Sequence, residues 1–507
     1  MLRLLTQIPP ALHLLLLVLI PLLRLPSLIG GWYQAEESLL LLTAERMAAG
    51  GRLYQDAWFA GPPLLVWLYE GCYALFGGGA IRAVRILTCL YLYLTAACFG
   101  GLVARYKPFR EAGWLPPVLL AFLTATPWYA QELNGAVWSL LPMVMAYDAV
   151  LRLSDSAEAS YAGMFRAGIW MMLAVLGSYQ AFFLLPAIAG AYVLLRTPRA
   201  AELYALLGGL LAPSLFLATG LYFSGGLEAF WDIGVLGFFD ALRAEEPGIW
   251  PLGPDSFRYW ALSVAVPAIL AVIGFIHFRI RFFSYLVKIR YVETAMAVWV
   301  TVGLLLLLLA PGRREVSDFS LLLPPIAFYS SKTLDFKLIY RFRLILLILA
   351  LIVPVSQTAA YFRLRLPAGA PGRPDAASVW LHGGAWQQVT PPAALEEIRR
   401  HPEWQEVWIL DHYPGWHHLL NRFHSLKYTD FRLLKVKYPL LGGQTRPWSG
   451  AVGDEDFYQQ LAAHPPDLIV DTGNRFPPVQ QRYPALLSSY VRQDLAGVTV
   501  FVRQVTE

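Results

Sequence analysis

Two adjacent carboxylates, Glu36 and Glu37, follow directly after the first apolar stretch of membrane length in this sequence. Because the reactive group of a lipid-borne substrate lies at the membrane surface, a carboxylate pair at that surface is placed for chemistry on such a substrate. A structural interpretation stands beside this one. Carboxylates favour helix N-termini, so the pair could equally cap the helix that follows. The two residues by themselves leave both interpretations open.

The polar segment that contains the pair, residues 31–82, is called the first outer loop below. It holds two amphipathic stretches, residues 37–49 and 62–76, separated by Gly50-Gly51 and a tryptophan-containing turn that ends in Pro62-Pro63. These features predict two short helices that position the acids. The glycines at 77–79 lack a following Lys-Ser/Thr and precede a membrane segment, so we interpret them as a turn and not as a phosphate-binding loop.

Composition places the chain among polytopic membrane proteins. Hydrophobic residues make up 57% of its 507 residues and charged residues only 15%. A helix needs about 20 apolar residues to cross a bilayer. The N-terminal stretch has no small-residue cleavage site, so we predict a retained first helix and not a signal peptide. About eleven transmembrane helices are predicted, at residues 12–29, 83–104, 114–129, 136–153, 167–180, 181–195, 203–223, 259–276, 294–310, 319–330 and 344–362.

Basic residues indicate how these helices are oriented. Lys and Arg cluster after the second, fourth, sixth, eighth and tenth segments, which all fall on one side if the segments alternate. By the positive-inside rule that side is the cytoplasm. The N-terminus is then cytoplasmic, and the first outer loop and everything after residue 361 are extracytoplasmic.

The C-terminal region differs in character from the rest. Residues 1–362 form the predicted transmembrane domain, 363–374 a Pro- and Gly-rich linker, and 375–507 a small extracytoplasmic α/β domain. We predict strands at 407–410, 468–470 and 498–502, and helices at 393–400, 415–423, 454–463 and 479–491. All three cysteines lie before residue 99, which excludes a disulfide framework here. The histidines at 412, 417, 418 and 424 match no zinc spacing, so we assign them to surface and packing roles.

Beyond composition, the motifs resemble a known superfamily. The pattern of the first outer loop resembles that of the GT-C glycosyltransferases, and in particular the bacterial relatives of protein O-mannosyltransferases and lipid A aminoarabinose transferases. It reads EE-x8-R-x3-GG-x2-Y-x-D-x-W-x2-GPPL-x2-W-x8-FG-x4-R. In that superfamily an acidic pair opens the loop, two juxtamembrane helices follow, and a basic residue and Pro-Pro-Leu precede the second helix. Residues 131–134, 318–324 and the tail around 465–470 and 500–503 continue the resemblance.

The resemblance implies an integral membrane glycosyltransferase. It would move a sugar from a polyprenyl-phosphate donor to a lipid, glycan or protein acceptor on the outer face of a bacterial cytoplasmic membrane. Glu36 would be the general base, and Glu37 and Glu132 would orient the acceptor or hold a metal. No metal-ligand set is predicted, and a divalent cation (Mg²⁺ or Mn²⁺) is the one cofactor this chemistry leaves open. Membrane lipids are the expected surroundings, and no nucleic-acid partner is expected. The implied substrate-binding residues are Arg46, Tyr54, Trp58, Pro62, Tyr179, Gln180, Arg258 and Arg314.

Two departures from the superfamily pattern support an alternative. The basic residue that precedes Pro-Pro is Gly61 here, and the lysine often found near Tyr179 is absent. Either the outer-face arginines at 82, 85, 258, 313 and 314 replace these cations, or the chain is a catalytically degenerate scaffold or binding subunit. A transporter or flippase ranks last, since the apolar segments hold few charged residues, chiefly Arg24 and Asp148.

Overall fold

The computed structural model of the chain describes residues 1–29, 35–57, 59, 61–109, 111–125, 133–155, 161–238, 254–281, 286–309, 316–336, 342–364, 397–398, 400–401, 403–404, 406–409, 465–470, 489–495 and 498–503. Some of these are described by their backbone alone, among them the two residues that begin the fourth helix and half of the last helix.

Helices dominate the described residues, and each of the eleven predicted apolar segments overlaps at least one helix. The α-helices are α1 Leu2–Leu5, α2 Pro10–Leu23, α3 Leu25–Ile29, α4 Ala35–Ala48, α5 Pro63–Phe76, α6 Ala80–Tyr106, α7 Leu115–Leu123, α8 Gly135–Asp155, α9 Tyr161–Val175, α10 Leu185–Leu195, α11 Ala200–Phe223, α12 Leu227–Ala229, α13 Pro254–Arg281, α14 Val287–Leu309, α15 Leu323–Leu334 and α16 Arg343–Leu364.

Within the described residues, three helical stretches are long and apolar enough to cross a membrane, judged by length and composition. They are Pro63–Tyr106, Gly135–Leu153 and Ala200–Phe223. The number of membrane crossings and their orientation stay predictions.

The chain divides into two compact units. The first comprises Met1–Gly31, Ile81–Gly220 and Gly248–Ala385, and it contains most of the long helices. The second comprises Trp32–Ala80, Leu221–Pro247 and Trp386–Glu507. The first outer loop therefore belongs to the same compact unit as the C-terminal strands.

In the first unit, the N-terminal helices pack closely on α6. A Cβ atom at Gly101 would lie 2.1 Å from the carbonyl oxygen of Leu4, so only glycine permits this approach of α1 to α6. Further along, His13 Nδ1 and the Tyr93 hydroxyl are 2.9 Å apart. Because α2 also contacts α7, the helices α1, α2, α6 and α7 form one packed group.

Charged side chains inside the first unit are paired across helices. Lys332 Nζ on α15 lies 2.7 Å from Glu293 Oε1 on α14 and donates to the carbonyl oxygen of Pro108 at 2.6 Å. Asp148 on α8 accepts hydrogen bonds from Arg105 and from Arg152, the latter at 2.7 Å. Buried charges need such partners because the interior solvates them poorly.

The second unit contains the two helices predicted for the first outer loop, and both predictions are confirmed. α4 contacts α5, and the Tyr73 hydroxyl donates to Glu45 Oε1 at 3.3 Å. α4 ends in a Schellman motif, in which Gly50 N–H bonds the Met47 carbonyl and Gly51 N–H bonds the Arg46 carbonyl. Gly50 has φ +98°, which explains the glycine break. The glycines at 77–79 form a single 3₁₀ turn, as interpreted from sequence.

Near the C-terminus the strands form a four-stranded sheet with order β1-β2-β4-β3. β1 (Val407–Ile409) pairs in parallel with β2 (Leu468–Val470), whereas β4 (Val498–Arg503) pairs antiparallel with both β2 and β3 (Tyr490–Leu495). Its buried core includes Ile398, Val407, Leu468, Val470 and Val500.

The three strands predicted from sequence are confirmed, but the helix predicted over 479–491 is wrong at its C-terminal end. Tyr490 and Val491 belong to β3, because pairing with Arg503 and Val502 of β4 outweighs the local helical pattern. Of the predicted helix at 393–400, Glu397 and Ile398 are helical. The helices predicted at 415–423 and 454–463, and the four histidines, lie outside the described residues, so the α/β character of the whole region stays a prediction.

Candidate functional site

The first turn of α4 carries the two candidate acids. The helix begins at Ala35, so Glu36 and Glu37 occupy its second and third positions. Glu36 is described by its backbone only, whereas the Glu37 side chain is 1% exposed. Successive helix positions differ by about 100° around the axis, so the two positions face different surroundings. A position in the first turn is compatible with helix capping and with a role in catalysis. The structure therefore leaves both interpretations open.

Tyr54 organises the turn between α4 and α5. It is fully buried and has φ +67°, a conformation that non-glycine residues rarely adopt. Its backbone N–H bonds the Ala57 carbonyl at 2.8 Å, and its hydroxyl donates to the Gly61 carbonyl at 2.7 Å. Such backbone conformations persist only where neighbours hold them, and they cluster at functional sites.

The start of α5 is set by two prolines. Pro62 is extended (φ −73°, ψ 146°) and precedes the helix, and Pro63 stands at its first position. Proline suits this position because its fixed φ matches a helix and its missing N–H would have no intrahelical partner. The predicted Pro62 turn is therefore present and buried, next to the Tyr54–Gly61 hydrogen bond.

Gly61, where superfamily members carry a basic residue, is enclosed by an aromatic ring. A Cβ atom built on it would lie 2.5 Å from Cε1 and 2.7 Å from Cζ of Phe59. Phe59 itself is only 6% exposed. Any side chain at this position would have to displace the Phe59 ring. The ring can therefore pack here only because position 61 is glycine.

A π-helix packs on the same tyrosine. This element, Phe230–Leu236, follows α12, and the Phe230 ring lies edge-on to the Tyr54 ring with centroids 5.3 Å apart. A Cβ atom at Gly234 would approach Tyr54 Cε1 to 2.7 Å, so glycine allows close contact. Gln55 Nε2 donates to the Gly225 carbonyl at 2.7 Å. π-helices occur frequently at functional sites, and no sequence pattern predicted this one.

Arg46, an implied substrate-binding residue, stands in the last turn of α4 and is half-buried. Desolvation lowers the pKa of its guanidinium, and the nearby carboxylates of Asp56 and Glu406 oppose that shift. Asp56 also accepts a hydrogen bond from the Arg52 backbone N–H at 2.9 Å. Arg46 therefore lies within an acidic environment that draws on both the loop and the residue preceding β1.

Tyr179 and Gln180 lie at a break between helices of the first unit. α9 ends at Val175, and a 3₁₀ turn over Tyr179–Leu184 leads into α10. The Ser178 hydroxyl donates to Gln180 Oε1 at 2.6 Å, and Tyr179 is 8% exposed. The break is tightly packed, since a Cβ atom at Gly177 would lie 1.8 Å from Trp138 Cδ1. The break lies at the boundary predicted between the apolar segments 167–180 and 181–195, and its role in binding stays a prediction.

Other predicted site residues fall where the structure describes little. Trp58, Glu132 and Arg314 lie outside the described residues, and Arg258 is described by its backbone in α13 alone. Asn134, two residues after Glu132, caps α8 by accepting from the Val137 N–H at 2.9 Å. Among the described side chains, no group of three or more His, Cys, Asp or Glu residues is placed to hold a metal ion. Metal dependence stays a prediction.

Two buried arginines in the first unit received less weight from sequence than the structure gives them. Arg24 is 1% exposed and Arg85 4% exposed. Arg24 was identified only as a rare charge in an apolar segment, and Arg85 only as one of several outer-face arginines. The signal that pointed to them is an ionisable residue inside a predicted membrane helix.

The similarity of this chain to known proteins lies in its three-dimensional structure. No protein-family model matches the sequence, and no curated protein matches it. The fold is similar to that of ArnT from Cupriavidus metallidurans bound to undecaprenyl phosphate, with a TM-score of 0.56, 14% sequence identity and coverage of 98% of each chain. The apo state of that ArnT gives a TM-score of 0.50 at 13% identity, covering 96% of this chain and 97% of that one.

A third similar structure comes from an archaeon. The apo form of the Archaeoglobus fulgidus oligosaccharyltransferase gives a TM-score of 0.51 at 13% identity, covering 98% of this chain and 75% of that one. ArnT, a lipid A aminoarabinose transferase, and this oligosaccharyltransferase are both members of the superfamily that the sequence motifs indicated. The resemblance is therefore confirmed at the level of the fold, since this chain is similar in fold to both of these proteins.

Proposed function

We propose that this protein is an integral membrane glycosyltransferase that uses a polyprenyl-phosphate-linked sugar donor. It transfers the sugar to a lipid, glycan or protein acceptor on the extracytoplasmic face of a bacterial cytoplasmic membrane. The observation that carries the proposal is the fold similarity to ArnT bound to undecaprenyl phosphate, which extends over 98% of both chains. The acidic pair at the start of α4 supports it from the residues themselves.

The reaction requires one proton transfer and one leaving group. The acceptor hydroxyl oxygen bonds to C1 of the sugar while the bond between C1 and the phosphate oxygen breaks. The hydroxyl proton passes to the Glu36 carboxylate, and the phosphate departs on its polyprenyl carrier. A positioned carboxylate is suited to this role, and general bases contribute about 10²- to 10⁴-fold to rate.

The neighbouring acids take supporting roles in this proposal. Glu37 is buried, so it is proposed to position α4 and the acceptor from inside the fold. Glu132 is proposed as a second acid near the acceptor or as a ligand for a divalent cation. A cation, if used, would stabilise the charge that develops on the leaving phosphate.

In this proposal, the turn from Tyr54 to Pro62 fixes the backbone beside the site. The Tyr54 hydroxyl holds the Gly61 carbonyl, and the prolines fix the entry into α5. Arg46, Trp58, Tyr179, Gln180, Arg258 and Arg314 are the proposed contacts for donor or acceptor. Since Phe59 fills the space beside Gly61, the cation for the phosphate has to come from elsewhere in the chain.

The decisive experiment compares wild type with Glu36→Gln in sugar transfer from a panel of polyprenyl-phosphate sugars by the purified full chain. We expect turnover to fall by at least about 100-fold in the variant while donor binding is retained, because only the base is lost. Glu228→Gln is the matched control, since Glu228 is an exposed acid of the same compact unit. Unchanged turnover in Glu36→Gln would move the base elsewhere, with Glu132 tested next.

A catalytically degenerate scaffold is the second candidate function. The filled space beside Gly61 favours it, because a superfamily cation is absent and cannot be restored without moving Phe59. Its signature would be a wild-type protein that binds a polyprenyl-phosphate sugar with no transfer to any lipid, glycan or peptide acceptor of the panel. Transfer by wild type would eliminate this candidate.

A further inference from the structure

One buried carboxylate joins two arginines where α6 and α8 end. Asp148 on α8 accepts hydrogen bonds from Arg105, in the last turn of α6, and from Arg152, one turn further along α8. Arg105 Nη1 donates to Oδ1, and Arg152 Nε donates to Oδ2 at 2.7 Å. Each arginine therefore has its own carboxylate oxygen, and one side chain holds both guanidinium groups.

The three side chains differ in their exposure. The side chain of Asp148 is 4% exposed, whereas those of Arg105 and Arg152 are 20% and 34% exposed. The carboxylate is thus the most deeply buried member of the cluster. A group that arrives from outside the protein reaches the arginines before it reaches the carboxylate.

This cluster carries more positive than negative charge. In the part of the chain that the structure describes, Asp148 provides the only side-chain partner of either arginine. Each guanidinium group has five N–H donors, so most of them remain available. Exposed Lys107, two residues after Arg105, adds a further cation.

A neighbouring carboxylate has its own cation. Arg196, at the end of α10, donates through Nη1 to the carbonyl oxygen of Leu153 at 2.8 Å, next to Arg152 in the chain. Its Nη2 lies 3.5 Å from Oε1 of buried Glu202. Glu202 is therefore paired with Arg196, and the excess positive charge of the cluster stays.

The cluster lies at the ends of two predicted membrane segments. Arg105 directly follows the segment at 83–104, and Arg152 belongs to the end of the segment at 136–153. Residues at such ends lie at the depth of the lipid headgroups, and the basic ends of these two segments are predicted to be cytoplasmic. Basic pockets between membrane helices on that side bind the headgroups of anionic lipids.

We propose that Arg105 and Arg152 bind the phosphate group of an anionic phospholipid of the cytoplasmic leaflet, and that Asp148 positions both arginines. The planar donors of a guanidinium group match two phosphate oxygens at once. The excess positive charge selects a lipid with net negative charge over a zwitterionic one. The proposal involves neither the sugar donor nor the acceptor, so it is independent of the proposed function.

The test measures binding of phosphatidylglycerol and phosphatidylcholine, with identical acyl chains, to the purified full chain in a non-ionic detergent. We expect wild type to prefer phosphatidylglycerol. Arg105→Gln and Arg152→Gln should each weaken its binding by about 10- to 100-fold, as for hydrogen bonds to charged groups. Binding of phosphatidylcholine should change little.

Asp148→Asn separates positioning from general attraction. The variant raises the positive charge of the cluster, so charge alone would tighten the binding of phosphatidylglycerol. We expect weaker binding, because the amide no longer holds both guanidinium groups by charge-assisted hydrogen bonds. Tighter binding would overturn the positioning role of Asp148.

Arg166→Gln is the matched control for the arginine variants. Arg166 is exposed on the same predicted side, and its Nε donates to the carbonyl oxygen of Ala162 at 3.0 Å. The same change of charge at this position should leave both affinities unchanged. If Arg105→Gln does not fold, Arg105→Lys keeps the charge without the planar fork, and a smaller loss confined to phosphatidylglycerol is expected.

Four outcomes would overturn the proposal. Wild type that binds both lipids equally has no site for an anionic lipid, and a loss as large in Arg166→Gln would reduce the effect to surface charge. An equal loss for both lipids in the arginine variants would mean that the cluster only holds α6 and α8 together. Displacement of phosphatidylglycerol by inorganic phosphate would assign the site to a soluble anion.

Discussion

The first outer loop and the helices of the first unit accommodate unusual residues in different ways. In the loop the unusual feature is the backbone: Tyr54 and Gly50 have positive φ, and an aromatic ring fills the space beside Gly61. In the helices the unusual feature is charge, as in the Lys332–Glu293 pair, whose atoms are 2.7 Å apart with almost no exposure. The loop depends on an unusual backbone conformation, whereas the helices depend on the pairing of buried charges.

This difference separates two kinds of variant. Substitutions in the loop should affect turnover before stability, because the loop is proposed to shape the site of reaction. Substitutions of paired charges in the helices should affect stability before turnover per folded molecule. Glu36→Gln, with its expected loss of at least about 100-fold in rate, is the extreme case of the first kind.

The largest expected effect on stability follows from Lys332→Met. Removing the lysine leaves the Glu293 carboxylate buried without its 2.7 Å partner, which destabilises proteins by about 3–5 kcal/mol. Thermal unfolding of the purified chain should show this loss, and the double variant Lys332→Met/Glu293→Gln should recover much of it. Turnover per folded molecule should stay near wild type.

The exposed pair Arg400–Glu397 provides the control for that experiment. The paired atoms are 2.8 Å apart, close to the distance in the buried pair, but the side chains are 73% and 39% exposed. Glu397→Gln should therefore change stability by less than about 1 kcal/mol. A Lys332→Met protein as stable as wild type would show that the helices do not depend on buried pairing and would remove the contrast between the two regions.

Much of this fold could be predicted from the sequence, because the membrane and the turns leave strong signals. Apolar length predicted the helices, Gly50-Gly51 marked the end of α4, and Pro62-Pro63 marked the start of α5. The strand at Tyr490–Leu495 was missed because its residues, half of them polar and exposed, gain their conformation from pairing with β4. A local sequence pattern does not indicate which distant segments pair in a sheet.

The site was less predictable than the fold. The sequence motif identified Tyr54 and Gly61, but it could not reveal that the hydroxyl of one holds the carbonyl of the other, or that Phe59 occupies the space beside the glycine. Likewise, Arg24 and Arg85 are 61 residues apart by their numbering, and only the helix packing brings both to Ser27. Long-range contacts of this kind carry no periodicity.

A smaller effect is expected at Gly61. Gly61→Ala places a Cβ atom 2.5 Å from the Phe59 ring, and overpacking of this kind costs about 1–3 kcal/mol. In a Phe59→Leu background the same substitution should cost less, and a double-mutant cycle on thermal stability and turnover measures the coupling. An equal loss of stability in the two backgrounds would contradict this explanation, because the Phe59 ring would then not be what requires glycine at position 61.

The smallest effect, and the most direct comparison within the loop, is Tyr54→Phe. The variant keeps the ring against Phe230 but removes the hydroxyl that donates to the Gly61 carbonyl at 2.7 Å, leaving a buried acceptor at a cost of about 1–2 kcal/mol. Because that bond holds the turn before α5, turnover should fall by a larger factor than the folded fraction does. Tyr73→Phe is the control, since it removes a longer, 3.3 Å bond to Glu45 between α4 and α5 without touching the turn. If Tyr54→Phe lowered stability and turnover in equal measure, or left both unchanged, the loop would be an ordinary packed segment and its special backbone would have no role in shaping the site.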